Sequence, residues 1–190
     1  MRNTSGLGRC DQLYDGHMEM SKKIAAGMIG LGACARLLPH PWNFTPIMAI
    51  GLFAGAKAKN LSTGMLATLL ALLVSDAVLG FYLNHGMWWV YAAWLLPVLI
   101  GRFIRQREGI SSIAAAALFS SILFFLTTNF MVWATGALYP HTVAGLAACY
   151  TAGIPFFQNQ ILGDAFYTFA LFGGHAFLSR MALRMRTASA

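Results

Sequence analysis

The residues of this chain that could do chemistry are a few polar side chains placed within or beside long apolar stretches. Arg36, Asp76, Asn129 and Asp164 stand out in this way. An ionisable residue inside a membrane is costly and normally paired, so each marks a candidate functional position if these stretches cross a membrane. Arg36 could pair with Asp76 or with Asp164, either to contact a ligand or only to hold helices together. Asp164 could instead cap the start of a helix, where a carboxylate complements the helix dipole.

The composition indicates an integral membrane protein. Of the 190 residues, 58% are hydrophobic and only 10% are charged, whereas soluble domains carry roughly 25% charged residues. The net charge of +7 favours a positive-inside signal over nucleic-acid binding, because the basic residues separate apolar stretches and do not form one basic face. Cys10, Cys34 and Cys149 give neither a disulfide framework nor a zinc pattern.

The apolar stretches predict an all-α fold, a six-helix transmembrane bundle with both termini in the cytoplasm. The expected spans are about 24–38, 44–56, 61–83, 87–104, 110–138 and 161–183, with a kink at Pro97. Residues 139–159 are expected to form an outer loop that carries a short surface or re-entrant helix. With this topology every Lys and Arg except Arg36 falls on the cytoplasmic side.

The chain divides into a polar extension (1–22), expected to be disordered, one membrane domain (23–186) and a short tail (187–190). Met20-Ser21-Lys22-Lys23 is typical of a natural start before a first apolar helix. As an alternative, Lys22-Lys23, the following apolar run and Leu31-Gly32-Ala33-Cys34 match a lipoprotein signal, whose cleavage would leave five spans.

The predicted topology places most of the unusual polar and aromatic residues in the outer half of the bundle. At 1.5 Å per helical residue, Asp76 lies roughly 10 Å and Asn129 roughly 15 Å below the outer ends of their spans. The aromatics could form an interfacial belt, and Asn43 could cap a helix. Some of these side chains could instead line a ligand pocket. The candidate ligand contacts are Arg36, Trp42, Asn43, Asp76, Tyr82, His85, Trp88, Tyr91, Asn129, Trp133, Tyr150, Gln158 and Asp164.

The sequence contains no nucleotide-binding loop, dinucleotide fingerprint or Ser-His-Asp arrangement, so we do not expect an enzyme. One alternative is a haem protein, metal protein or membrane enzyme that uses His40, His85 and His141, one in each outer connection. Another is a structural subunit of a membrane complex. Small residues at four-residue spacing, Ala26 and Gly30 on the first span and Gly51 and Gly55 on the second, could pack within the bundle or dock a partner protein.

Several motifs resemble a family of uncharacterised bacterial membrane proteins related to the substrate-binding S-components of energy-coupling-factor (ECF) vitamin transporters. The motifs are Arg36 to Pro46, Ser75 to Phe81, Phe124 to Phe130 with Trp133, and Cys149-Tyr150 through Pro155-Phe156-Phe157 to Gly163-Asp164. The resemblance spans about 23–183. It implies a protein of the bacterial inner membrane that captures a small water-soluble nutrient at its outer face. It also implies docking through the small-residue stripes to a coupling subunit driven by ATPases, with no cofactor of its own.

Within that class, the chain is most similar to the solitary cobalamin S-component. Asp76 and Tyr91 match its aspartate in the third span and its tyrosine in the fourth. Its outer-loop arginine falls at Gln158, and its cobalt-binding cysteine has no counterpart in the loop Asn84-His85-Gly86. If cobalamin is the nutrient, His85 is therefore the expected axial ligand to cobalt.

Overall fold

The computed structural model describes residues 22–80, 87–107 and 109–188, and these ranges are entirely helical apart from turns and short connections. The helices are α1 (Lys22–Leu37), α2 (Ile47–Lys57), α3 (Leu61–Leu79), α4 (Met87–Ala93), α5 (Leu96–Ile104), α6 (Ile110–Thr135) and α7 (Val143–Ala188). The predicted all-α class is confirmed. Residues 1–21 and 189–190, which hold most of the predicted extension and part of the predicted tail, lie outside the described residues.

Three helices, α3, α6 and α7, are long and apolar enough to cross a membrane. This agrees with the predicted membrane protein. The first two predicted spans are short, as expected, with 16 residues in α1 and 11 in α2.

The short helix α2 forms the centre of the bundle, and all of its residues are buried. Its sequence explains this position, because a helix that is apolar on every side has no face for solvent. It packs chiefly against α3, α5 and α7. Gly55 of α2 lies so close to α5 that a Cβ atom there would overlap the carbonyl of Val98, and Gly101 of α5 lies equally close to the carbonyl of Leu52.

The fourth predicted span is interrupted at residues 94 and 95, so that α4 and α5 are two halves of one kinked segment. Pro97 lies in the first turn of α5, where its missing N–H group costs nothing because that position has no helical acceptor. The predicted kink is confirmed.

The prediction of an outer loop at residues 139–159 is wrong, because α7 runs unbroken through Pro155. Gly145, Gly153 and Pro155 were interpreted as helix breaks. In the structure Gly153 instead provides close contact with Phe125 and Asn129 of α6. Glycine and proline are tolerated in such helices where neighbouring helices compensate for the lost backbone contacts. Antiparallel α6 and α7 thus form one long hairpin.

Two of the predicted basic clusters meet at one end of the bundle. Arg102 and Arg105, near the end of α5, each donate from Nη1 to the carbonyl oxygens of Ala58 and Lys59 in the α2–α3 connection, over 3.2–3.5 Å. The arginines therefore satisfy carbonyl groups that the end of α2 leaves open.

Candidate functional site

At the opposite end of the bundle, three helices bring four polar residues together: Arg36 of α1, Ser75 and Asp76 of α3, and Tyr91 of α4. We call these residues the Arg36 cluster. Nη1 of Arg36 lies 2.7 Å from Oδ1 of Asp76 and also donates to Oγ of Ser75. The Tyr91 hydroxyl donates to Oδ2 of Asp76. Of the two pairings that the sequence left open for Arg36, the structure forms the one with Asp76.

The local sequence of each helix explains why these groups meet. Arg36 lies in the last turn of α1, where a cation is favoured by the helix dipole. Asp76 lies four residues after Leu72, and Ser75 four residues after Ala71, along the buried side of α3. This spacing keeps side chains on one helix face. Ser75 is held against its own helix, since its Oγ donates to Ala71 and Leu72 carbonyl oxygens at 3.0 and 2.8 Å.

The cluster is only partly enclosed. The side chains of Arg36 and Asp76 are 20% and 10% exposed. Both oxygens of the Asp76 carboxylate have a donor, so its charge is compensated and its desolvation is offset. Both Arg36 contacts use Nη1, and the guanidinium carries further N–H donors on Nη2 and Nε. The arrangement can therefore present donors to a carboxylate, phosphate or carbonyl group arriving from outside the bundle.

Three other predicted contact residues lie exposed at the same end. Trp42 and Trp88 are 76% and 71% exposed, and Trp42 packs edge-on against Phe156. Asn43 has a positive φ of 62°, a conformation that asparagine adopts more readily than most residues. The structure shows no side-chain cap hydrogen bond at the start of α2, so the capping alternative for Asn43 is not supported.

The polar groups of Asn129, Trp133 and Tyr150 are used inside the α6–α7 hairpin. The Asn129 amide donates to the Phe125 carbonyl oxygen at 2.9 Å, and Nε1 of Trp133 donates to the Pro140 carbonyl oxygen at 2.9 Å. The Tyr150 hydroxyl donates to the carbonyl oxygen of Leu126 at 2.8 Å. Tyr150 thus joins α7 to α6, and Trp133 joins α6 to the connection before α7, whereas the Asn129 bond lies within α6. Gln158 is exposed on α7.

Asp164 belongs to a second buried polar group, not to the Arg36 cluster. It lies in the middle of α7, so the prediction that it caps a helix start is wrong. Its Oδ2 accepts a hydrogen bond of 2.7 Å from the Ser121 hydroxyl of α6. Gln160 donates to the Ser121 carbonyl oxygen at 3.3 Å. Sequence reasoning missed Ser121, Gln160 and Thr168; the four-residue spacing of Gln160, Asp164 and Thr168 was the signal for a shared helix face.

The histidines do not assemble into a metal site in the part of the chain that the structure describes, which contains no group of three His, Cys, Asp or Glu side chains able to hold a metal. Nδ1 of His40 lies 3.0 Å from the Pro41 carbonyl oxygen, and His141 stacks edge-on against Trp133. His85, the third member of the proposed set, and Tyr82 lie outside the described residues.

The small-residue stripes divide into two kinds. Gly51 and Gly55 face Pro97 and Val98 of α5, so α5 already occupies the surface that they would offer for docking. This favours the packing alternative for α2. On α1, Ala26 and Gly30 are exposed, and nothing lies within 4 Å of a Cβ built on Gly30.

Comparison with known proteins assigns the chain to a family. The model of a family of unknown function, DUF6580, matches residues 18–186. The chain belongs to the DUF6580 family. The match covers the Arg36 cluster and Asp164 of this DUF6580 protein. No curated protein and no solved structure matches the chain.

Proposed function

We propose that this protein binds a small water-soluble nutrient at the outer face of a bacterial inner membrane and takes part in its uptake. The observation that carries the proposal is the Arg36 cluster, a partly accessible ion pair assembled from three helices at one end of an apolar bundle. Polar residues that a membrane protein retains at such a cost commonly mark substrate pathways.

The chemistry of the cluster favours a ligand with a carboxylate, phosphate or carbonyl group. Arg36 would bind that group with its remaining N–H donors, while Asp76 and Tyr91 hold the guanidinium in place. Trp42 and Trp88 offer exposed indole faces at the same end, suited to the flat ring of a vitamin-like molecule. This ligand set is smaller than the one predicted from sequence, because Asp164, Asn129, Trp133 and Tyr150 have partners within the α6–α7 hairpin.

The resemblance to ECF S-components supports the same proposal at the level of the whole protein. In this topology six spans cross the membrane, both termini are cytoplasmic, and the Arg36 cluster faces outward. The open stripe of Ala26 and Gly30 on α1 would dock the coupling subunit, with its ATPases, if the protein works in an ECF complex. In this role the protein is a binding and transport component and not an enzyme.

Cobalamin is the nutrient that the resemblance to the solitary cobalamin S-component suggests. Asp76 and Tyr91, the two residues that match, are hydrogen-bonded to each other, so they act as one unit in the proposed site. The imidazole of His85 would then be the axial ligand to cobalt.

The proposal is tested by identifying the small molecule that co-purifies with the protein. We expect mass spectrometry to find a bound nutrient with the wild type and at least about tenfold less of it with Asp76→Ala. Ser62→Ala, an exposed change at the opposite end of α3, is the matched control and should retain the molecule. Equal amounts of the same molecule in all three preparations would contradict a role for the cluster in binding.

A further inference from the structure

A cavity of about 580 Å³ lies between α6 and α7 and is lined mainly by apolar side chains, among them Ile113, Leu118, Phe169 and Phe172. Cavities of this size and lining, with a few convergent polar groups, are typical of small-molecule sites. Leu118 and Phe169 are exposed, so the cavity opens sideways on the bundle, where membrane lipid would surround it in the proposed topology.

Besides Arg180, three polar side chains interrupt this apolar lining: Ser121, Asp164 and Thr168. Each is at least nine-tenths buried. Ser121 donates to Asp164, but the Thr168 hydroxyl has no hydrogen-bond partner among the described residues. A buried hydroxyl without a partner carries a desolvation cost, because it has lost its hydrogen bonds to water. A ligand group beside it would remove that cost.

Asp164 also lacks an ion-pair partner: within residues 22–80, 87–107 and 109–188, the ion pair between Arg36 and Asp76 has no counterpart at Asp164. Arg180 lines the same cavity, but it lies sixteen residues further along α7, or about 24 Å at 1.5 Å per residue. A buried carboxylate without a counter-charge is costly to ionise, and a cationic ligand group beside it would stabilise the ionised form.

We propose that this cavity binds an elongated apolar molecule with a cationic amine at one end. The ammonium group would pair with the Asp164 carboxylate and donate to the Thr168 hydroxyl oxygen, and the apolar chain would lie along Ile113, Phe169 and Phe172. This ligand differs in class from the water-soluble nutrient proposed for the Arg36 cluster. It reaches its site through the side of the bundle, not through the end.

Photo-crosslinking in lipid nanodiscs tests this site with the full chain. The probe is hexadecylamine with a diazirine in its alkyl chain, and the comparison probe is hexadecanoic acid with the same diazirine. We expect the amine to label peptides of α6 and α7 around residues 113–118 and 165–177, and to label them at least about tenfold more than the acid does.

Two variants should lose the labelling, and a third serves as the control. Asp164→Asn removes the charge with little change in size and should reduce amine labelling about tenfold. Ala165→Phe, an exposed position that lines the cavity, should reduce it by filling the space, and it carries the test if Asp164→Asn is not monodisperse. Asp76→Asn removes the other buried carboxylate and should leave the labelling unchanged, which separates this site from the nutrient site.

Unchanged labelling in both Asp164→Asn and Ala165→Phe would overturn the proposal. Labelling spread evenly over the lipid-facing helices would also overturn it, because bulk lipid partitioning would then explain the signal. Equal labelling by the acid would exclude the proposed amine specificity, because the apolar chain alone would then explain the labelling.

Discussion

At the residue scale, the ion pair between Arg36 and Asp76 raises two separable roles: stabilising the bundle, and the ligand binding that we propose. An ion pair that is largely out of water contributes little net stability, because its desolvation offsets its attraction, but removal of one partner is costly. Tyr91 and Ser75 add donor and acceptor contacts that hold both charges in place. A structural pair can therefore be replaced by two apolar residues, whereas a ligand-binding pair cannot.

Single and double substitutions distinguish these roles. Arg36→Met alone leaves the Asp76 carboxylate without its counter-charge and should lower the free energy of unfolding by about 3 kcal/mol. Arg36→Met combined with Asp76→Leu should restore most of that stability, measured by denaturation of the purified protein. The same double variant should have lost nutrient binding, and a double variant that binds as the wild type does would reduce the pair to a purely structural contact.

At the scale of elements, the sequence predicted helix type well and helix ends less well. The short α1 and α2 and the kink at Pro97 followed from local patterns, since apolar runs and proline act on the residues next to them. The continuity of α7 through Pro155 could not be predicted in this way. It depends on contacts of Gly153 with Phe125 and Asn129, which lie more than twenty residues away in the chain.

In the candidate site, too, local sequence patterns predicted some residues correctly, whereas others depended on contacts between distant parts of the chain. The sequence predicted Arg36 and Asp76, because charged residues in apolar stretches are conspicuous wherever they pair. Tyr91 was predicted from the resemblance to the cobalamin S-component. The sequence placed Asp164 with them, because the predicted loop put that residue at the start of a span on the outer side. Once α7 is continuous, Asp164 is a mid-helix residue that faces Ser121 of α6.

Close contact between α2 and α5 gives a test at this scale. Gly55→Ala places a methyl group against the Val98 carbonyl, and overpacking of this kind should cost about 2 kcal/mol or more. Gly30→Ala, on the open face of α1, should be neutral or stabilising by up to about 1 kcal/mol, because alanine favours helix more than glycine does. Thermal unfolding of both variants checks the difference, and equal melting temperatures would show that α2 and α5 are not packed as described.

At the scale of the whole molecule, two sets of polar residues lie at opposite ends of the bundle. The Arg102 and Arg105 side chains close the α2–α3 connection at one end, and the Arg36 cluster occupies the other. The positive-inside rule assigns the first end to the cytoplasm. That orientation remains a prediction, as do six membrane crossings.

Single-cysteine labelling tests the orientation, with Cys10 and Cys34 replaced by serine and the buried Cys149 retained. In spheroplasts, a membrane-impermeant maleimide should label Trp42→Cys and leave Lys59→Cys unlabelled, because only the first lies on the proposed outer side. Inverted vesicles should give the reverse pattern. Labelling of both positions from the same side would exclude the proposed arrangement.

The most direct test of the central claim is titration calorimetry of the purified protein with a panel of B vitamins and corrinoids. We predict saturable binding of at least one compound, weakened tenfold or more by Asp76→Ala and unchanged by the Ser62→Ala control. Absence of binding to every compound on the panel, or equal affinity in wild type and Asp76→Ala, would contradict nutrient capture at the Arg36 cluster.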